Sequence, residues 1–402
     1  MLKILFVDDE RHVLAAVRRL LHLYRNRWSM DFVIDSQEAA RRITQHKYDV
    51  VLSDLQMPGM DGIELLSLVK ARSPETARVM LTGTTDTKSV ARITEVAHRL
   101  LAKPCNPNEF KDIVLRLCVL QESLPDSETR KRLFQENSLP IQPSIFLELQ
   151  EVVENKQASI RNIANVVARD MALAAKIIQL ANSSYYGSQR KITELSVAIG
   201  LLGIDTVVGL ALSFGTFDQF QGRIDRAVLD SLSEHSLVVA QLAAEMASVL
   251  PMKDDVAREA FLAGLLHDCG KLILAQEDNQ QDYEVVKDLA DQSNVPVEET
   301  EERTFGLTHS KIGGMILDLW GLPLSLAEAV TFHHRPSLSS CPENNASALI
   351  HVADLIYHLK QNRDPSLFDQ RLDQELMLQL GWQKHVDNWK QMILGNAKEV
   401  KN

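Results

Sequence analysis

The stretch VVLSDLQMPGMDG, residues 50–62, decides the fold of the first part of the chain. Its opening run is short, rich in β-branched and apolar residues and closed by Asp54, as in a parallel strand buried on both faces. Similar runs occupy residues 4–7 and 79–82, and amphipathic helix-like segments lie between the runs, as at 13–21 and 63–69. This alternation predicts a doubly wound α/β domain over residues 1–122.

Polar residues follow four of the expected strands at the point where each strand ends. They are Asp8, Asp9, Asp54, Thr82 and Lys103. Ligands of doubly wound folds bind at the carboxyl ends of the strands, so we expect these side chains to converge. Three converging carboxylates repel one another, and Mg²⁺, which prefers oxygen ligands, relieves that repulsion. Lys103 and Thr82 would then suit a phosphoryl group on Asp54, because an aspartate carboxylate is a competent phosphoryl acceptor.

Residues 1–122 resemble the receiver domain of two-component response regulators, which has a flavodoxin-like fold. The segments that carry the resemblance are VDDE, SDLQMPGMDG, LTGTTD and AKP. The resemblance implies that a histidine kinase phosphorylates Asp54 and that Thr82 and Lys103 bind the phosphoryl oxygens. It also implies that a Mg²⁺ ion is bound by Asp8, Asp9, Asp54 and the Gln56 carbonyl. One position departs from the family pattern, since Leu100 stands where many receivers have an aromatic switch residue.

Composition and charge separate the chain into two parts. Of its 402 residues, 45% are hydrophobic and 24% charged, which is typical of folded proteins. Residues 1–122 carry 18 Lys and Arg against 16 Asp and Glu, whereas the rest carries 25 against 38. So acidic a second part argues against binding to nucleic acid or to an anionic membrane.

Three features of the sequence indicate the cellular location of the protein. They are four scattered cysteines, the absence of a signal-peptide pattern and the absence of a long apolar run. The cysteines fit free thiols in a reducing compartment. No run reaches about 18 apolar residues, so no transmembrane helix is expected. These features predict a cytoplasmic protein.

Helical periodicity replaces the strand pattern after residue 122. Residues 123–138 are polar and bounded by prolines, which indicates a linker or connecting helix. Residues 139–360 predict an all-α domain, in which Asp170 caps the run MALAAKIIQLANSS. Residues 361–402 predict a C-terminal helical extension.

Histidines and aspartates cluster in the second half of the all-α domain. The candidate metal ligands are His235, His267, Asp268, His309, His333, His334 and Asp354, with His351 and His358 nearby in the sequence. Imidazoles combined with carboxylates bind zinc, iron or manganese. A single buried histidine is more often a structural residue, so the hypothesis of a metal site depends on the whole set.

The histidine set resembles the HD superfamily of metal-dependent phosphohydrolases, which includes the HD-GYP cyclic-di-GMP phosphodiesterases. The surroundings resemble the related HDOD domain more closely, through ARDMALAAKIIQLANSSYYG, FLAGLLHDCGKLIL and LDLWGLPLSLAEAVTFHHRP. This resemblance implies a regulatory module that acts through protein–protein interaction. Lys271 stands where phosphohydrolases have a basic residue near the substrate phosphate, but HHRPSLSSCPENN lacks the Glu-Arg and Gly-Tyr-Pro segments of the cyclic-dinucleotide pocket.

Two functions remain open from the sequence. The first is a response regulator with an HDOD output domain, whose partners are a cognate histidine kinase and a downstream signalling protein. The second is a metal-dependent phosphohydrolase controlled by the same receiver. A homodimer is compatible with both.

Overall fold

The computed structural model describes residues 1–393 apart from 84–86, 125–126, 136–142, 155–158, 184–190, 215–225, 251, 253, 276–279, 294, 340–344 and 363–364. An α/β region comes first and a helical region follows it. The predicted fold class is therefore confirmed.

The α/β region is built on one parallel sheet with the strand order β2-β1-β3-β4-β5. The strands are β1 Leu2–Val7, β2 Trp28–Val33, β3 Val50–Asp54, β4 Ala77–Thr82 and β5 Arg99–Ala102. The helices are α1 Arg11–Leu20, α2 Ser36–Gln45, α3 Gly62–Arg72, α4 Thr87–Val96 and α5 Pro107–Ser123. Every residue of β3 and β4 is buried, as expected for central strands covered on both faces.

Strand β2 has no counterpart among the strands expected from the sequence. It lies at an edge of the sheet, and its central residues are only half-buried. Asp31 stands in its middle and accepts a 2.7 Å hydrogen bond from the Tyr48 hydroxyl. An edge strand with a polar centre lacks the continuous apolar run by which buried parallel strands are recognised.

Among the described residues, the region after α5 contains helices and no strand. Its helices are α6 Ser127–Gln135, α7 Pro143–Glu154, α8 Ile160–Val167, α9 Met171–Ala181, α10 Leu195–Leu202, α11 Ile204–Phe214, α12 Arg226–Val249, α13 Asp254–Leu266, α14 Lys271–Leu274, α15 Gln280–Ser293, α16 Val297–Phe305, α17 His309–Leu319, α18 Leu324–Thr331, α19 Asn345–Asn362, α20 Pro365–Arg371, α21 Gln374–Gln379 and α22 Gln383–Ile393.

The start of α9 and the positions of α6 and α19 can be compared with the expectations from the sequence. The Asp170 side chain accepts from the Leu173 N–H, which confirms the predicted cap of α9. Helix α6 lies in the segment expected to connect the two regions, whereas the expected boundary at residue 360 falls inside α19.

The two regions contact each other through α4, β5 and α5 on one side and α9, α11 and α17 on the other. Gln179 donates a 2.7 Å hydrogen bond to the His98 carbonyl, and the Lys176 amine lies 3.3 Å from the Thr94 carbonyl. Arg99 Nε donates to the Leu319 carbonyl at 3.0 Å. We call this contact the interdomain interface.

Two further observations concern membrane-spanning helices and cysteines. In the part of the chain that the structure describes, no helix combines the length and apolar character needed to cross a bilayer. Cys105, Cys118 and Cys269 are free thiols, and Cys341 lies outside the described residues.

Candidate functional site

Three carboxylates meet at the carboxyl edge of the sheet. Asp8 follows β1 and is buried, Asp54 ends β3 and is buried, and Asp9 is exposed beside them. One oxygen from each of the three lies within 4.8 Å of the others. We call this cluster the acidic pocket.

Lys103 contacts the two buried members of the acidic pocket. Its Nζ lies 2.7 Å from Asp8 Oδ2 and 2.9 Å from Asp54 Oδ1. The backbone N–H of Lys103 donates to the Thr82 carbonyl at 2.8 Å, so the ends of β4 and β5 are held together beside Asp54. Gln56 is exposed two residues after Asp54, and the role of its carbonyl stays a prediction.

Burial and charge act against each other in this pocket. Burial raises the pKa of Asp54, and its contacts with Lys103 oppose that rise. Burial lowers the pKa of Lys103, but hydrogen bonds to Asp8 and Asp54 outweigh burial, so this pKa is raised. One ammonium does not balance three ionised carboxylates. The site therefore fits a divalent cation held by Asp8, Asp9 and Asp54.

A second cluster lies in the helical region, where five segments bring histidines and aspartates together. We define the first ligand group as His235 on α12, His267 and Asp268 after α13, and Asp354 and His358 on α19. The second ligand group is His309 at the start of α17 with His333 and His334 after α18. Asp268 joins the groups, since Oδ2 lies 3.3 Å from His235 Nε2 and Oδ1 lies 3.2 Å from His309 Nε2.

Hydrogen bonds on the far side of three imidazoles orient them for coordination. Nδ1 of His267 donates to the Gly264 carbonyl, and Nδ1 of His333 donates to the Val330 carbonyl, both at 2.7 Å. Nδ1 of His309 lies 2.7 Å from a Glu301 carboxylate oxygen. Since carbonyls and carboxylates only accept, each Nδ1 carries a hydrogen, and Nε2 is the ring nitrogen that faces the cluster. This is how metal-ligating histidines are usually held.

Atoms without hydrogen bonds point to the same conclusion. His333 Nε2 is buried and has no hydrogen-bond partner among the described residues. Asp268 Oδ1 and Asp354 Oδ1 are also buried without a hydrogen bond, although histidine nitrogens lie 3.2 Å and 3.3 Å from them. Buried polar atoms rarely lack a partner, and each one calls for an explanation such as an ion. The two ligand groups therefore fit metal ions, with Asp268 placed to contact both.

The sequence suggests that Lys271 lies near a substrate phosphate. In the structure its ammonium lies 2.7 Å from Asp268 Oδ2. His351 belongs to neither ligand group, because both of its ring nitrogens are hydrogen-bonded to the backbone. Its Nδ1 donates to the His333 carbonyl at 2.9 Å, and its Nε2 accepts from the Asp373 N–H at 3.0 Å.

Two residues of this cluster are absent from the ligand set expected from the sequence. His358 lies one helical turn after Asp354, with Nε2 at 3.4 Å from Asp354 Oδ1. Glu301 is fully buried and orients His309. The spacing of four residues between Asp354 and His358 is a signal that could have identified His358.

Family models divide the chain in the same way as the structure. The response regulator receiver domain matches residues 4–115, and the HDOD domain matches residues 139–336. The chain joins a receiver domain to an HDOD domain. The acidic pocket lies in the receiver domain, and Asp354 and His358 follow the matched part of the HDOD domain.

Curated relatives share mainly one part of the chain. The response regulator protein FleR of Pseudomonas aeruginosa is 35% identical over 130 residues, which are 31% of this chain and 26% of that protein. The transcriptional regulatory protein ResD of Bacillus subtilis is 35% identical over 121 residues, 29% of this chain and 47% of that protein. An uncharacterised protein of Treponema pallidum is 23% identical over 217 residues, 54% of this chain and 41% of its own. The chain thus spans less than half the length of these relatives.

Solved structures with similarity to the chain include two whose matches cover more than half of it. The MmoQ response regulator of Methylococcus capsulatus is 22% identical with a TM-score of 0.47, and the match covers 60% of this chain and 96% of that one. An HDOD domain protein of unknown function from Geobacter sulfurreducens is 24% identical with a TM-score of 0.35, and the match covers 58% and 77%.

Burial and neighbouring charges shift the pKa values of this cluster in different directions. Burial opposes protonation of His309, but Glu301 and Asp268 raise its pKa to about 9. Burial likewise opposes ionisation of Asp268, yet His267 and Lys271 hold its pKa well below the usual range. Burial keeps the pKa of His333 well below its ordinary value, as suits a neutral ligand. A cavity of about 1090 Å³ opens beside these residues and is lined by His235, Asp268, Lys271 and Asp354.

Proposed function

We propose that the protein is a two-component response regulator in which Asp54 accepts a phosphoryl group from a phosphohistidine of a kinase. An Asp54 carboxylate oxygen forms a bond to phosphorus while the bond between phosphorus and the histidine nitrogen breaks, and that nitrogen keeps the electron pair. Bound Mg²⁺ would supply charge neutralisation to the transferring group. Lys103 and Thr82 would bind its oxygens.

The observation that carries this proposal is the position of Lys103. It contacts Asp8 and Asp54 together, at the end of the sheet where ligands of this fold bind. A lysine held there supplies the charge that a phosphoryl group on Asp54 requires.

Labelling with acetyl phosphate tests Asp54 as the acceptor. With Mg²⁺ present, we expect stoichiometric labelling of the wild type and none of Asp54→Asn, because an amide cannot accept the group. The matched control is Asp112→Asn, which changes an exposed aspartate of α5 and should label normally. Stoichiometric labelling of Asp54→Asn would assign the acceptor elsewhere.

For the output, we propose that the HDOD domain holds iron, manganese or zinc through the two ligand groups and acts on a downstream signalling protein. Support comes from the fixed Nδ1–H donors and from the buried atoms without hydrogen bonds. Elemental analysis of protein purified under reducing conditions should find bound transition metal. His333→Ala should lose metal, whereas His12→Ala, which changes an exposed histidine, should not. Metal-free wild type with native folding would contradict this proposal.

A metal-dependent phosphohydrolase is the second candidate, because the cluster faces a cavity that Lys271 also lines. Bound metal would supply Lewis acidity there, and Lys271 would pair with a substrate phosphate. The assay is incubation with cyclic-di-GMP and Mn²⁺ or Fe²⁺ under anaerobic, reducing conditions. Turnover that disappears in His267→Ala/Asp268→Ala would favour this candidate, and no turnover by metal-loaded wild type would exclude this substrate.

A further inference from the structure

Two arginines of the receiver domain contact the carboxyl end of α17 in the HDOD domain. Arg99, at the start of β5, is 8% exposed and donates from Nε to the Leu319 carbonyl at 3.0 Å. Its terminal nitrogen contacts the Asp318 carbonyl and lies 3.3 Å from Asp318 Oδ1. Arg116 of α5 reaches the same carboxylate oxygen at 3.3 Å. The guanidinium therefore caps the carboxyl end of α17, where carbonyls lack helical partners and the helix dipole is negative.

The same strand that presents Arg99 ends beside Asp54. Strand β5 covers only Arg99–Ala102, and Lys103, which follows it, contacts Asp54 and Asp8. Its two ends are about 10 Å apart, because a strand rises about 3.3 Å per residue. A change at Asp54 that moves Lys103 therefore acts on the element that carries Arg99.

The opposite end of α17 begins with a member of the second ligand group. His309 is the first residue of the helix, and its Nε2 lies 2.9 Å from His334 Nε2 and 3.2 Å from Asp268 Oδ1. The helix has 11 residues and spans about 16 Å. A rigid element thus runs from Arg99 to the cluster.

Helix α17 is in close contact with the turn after Asp268 and with α18, so a movement of α17 would displace both. A Cβ at Gly270 would overlap the His309 carbonyl, so the turn after Asp268 lies directly against the start of the helix. A Cβ at Gly314 would overlap Thr331 Oγ1, so α17 and α18 are packed without free space. His309 begins α17, and His333 and His334 follow α18. The two packed helices therefore carry the whole second ligand group, and the receiver domain contacts one of them. The first ligand group lies on α12, on α19 and on the turn after α13.

We propose that Arg99 is a positioning residue that couples the state of Asp54 to the second ligand group through α17. The proposal rests on the proposed receiver and metal functions. It gives a route from Asp54 to the HDOD domain in a receiver that has Leu100 in place of the aromatic switch residue.

Hydrogen exchange and Mn²⁺ affinity of the full chain test the mechanical part of the proposal. Arg99→Gln should raise amide exchange in α17 at least about fivefold and weaken Mn²⁺ binding by a similar factor, the usual lower range for coupled sites. The comparison variant is Gln179→Ala, which removes the 2.7 Å interdomain hydrogen bond from α9 to the His98 carbonyl but leaves the contacts of Arg99 with α17 in place. It should have a smaller effect than Arg99→Gln on both measurements. Exchange in α12 serves as the internal control for general unfolding.

Unchanged exchange in α17 of Arg99→Gln would overturn the proposal, as would equal effects of Arg99→Gln and Gln179→Ala. A second variant, Asp318→Asn, keeps both carbonyl acceptors and should show a smaller effect of the same sign. This arm requires neither phosphorylation nor a bound metal, because exchange reports on α17 directly.

Beryllofluoride with Mg²⁺, a mimic of the phosphoryl group, tests the connection to Asp54. It should change α17 exchange and Mn²⁺ affinity in the wild type, and the change should disappear in Arg99→Gln. An equal response in both proteins would overturn the coupling. If Arg99→Gln alters α17 but beryllofluoride leaves residues 54–62 unchanged, the phosphoryl-acceptor function fails instead. If no protein binds Mn²⁺, the metal function fails while the exchange result still decides the role of Arg99.

Discussion

At the scale of single residues, Lys103 holds two buried carboxylates in place. Lys103→Gln removes the cation that contacts Asp8 and Asp54, and their repulsion should cost about 1–3 kcal/mol of unfolding free energy at neutral pH. The loss should be measured by urea denaturation, and Mg²⁺ should restore part of it because a divalent cation replaces the lysine. Lys47→Gln is the control, since Lys47 pairs with Glu75 on the surface and should matter little. Equal destabilisation by both variants would contradict this account.

Residue positions differ in how far the sequence could predict them. The convergence of Asp8, Asp54 and Lys103 could be predicted, because each follows a strand and parallel strands end at one edge. Glu301 could not, since VEETEERTF contains several acidic residues and only the fold brings one of them to 2.7 Å from His309.

At the scale of elements, the packing of α17 on α18 depends on a glycine. Gly314→Ala places a methyl group against Thr331 Oγ1 and within 2.8 Å of the Ala327 carbonyl, so we expect destabilisation of about 1–3 kcal/mol from overpacking. Gly200→Ala in α10 is the matched control, because a Cβ there meets only Ile160 Cδ1, at 3.6 Å. That variant should stabilise the chain by up to about 1 kcal/mol, since alanine favours a helix. Thermal or urea unfolding measures both, and the same sign for both would refute the packing argument.

Whether a segment forms a strand or a helix was easier to predict than its place in the fold. Buried strands such as β3 and β4 carry apolar runs, and the helices carry their caps, so local pattern suffices for them. Strand β2 lacks such a run because it is an edge strand. The expected domain boundary at residue 360 lies inside α19, because the chain stays helical on both sides of that residue.

At the scale of the whole molecule, the interdomain interface was beyond prediction from the sequence. Arg99 and Leu319 are separated by 220 positions, and neither carries a local signal for the other. Burial lowers the pKa of Arg99 to about 10 although Asp318 opposes this effect. Desolvation of the guanidinium therefore offsets much of its attraction to Asp318.

Lys176 makes the interdomain interface sensitive to pH. It is buried on α9 and faces the receiver, where burial and Lys70 lower its pKa to about 7 from 10.5 while Glu95 opposes the change. Between pH 7 and 10.5 the unfolded chain binds a proton at this lysine that the folded chain does not, so stability should rise with pH across that range. Below pH 7 both states are protonated, and the cost of burying the charge is fully present and constant.

Replacing the ammonium by an apolar group should remove this dependence. Lys176→Met should be more stable than the wild type at pH 7, and the difference should shrink steadily as pH approaches 10 because the wild-type lysine becomes neutral. Urea denaturation at pH 7, 8.5 and 9.5 measures the effect, with Lys360→Met as the control because Lys360 is exposed on α19. A stability difference that is independent of pH would show that Lys176 keeps its proton across this range. A wild type that loses stability relative to Lys176→Met as pH rises would reverse the sign argued here.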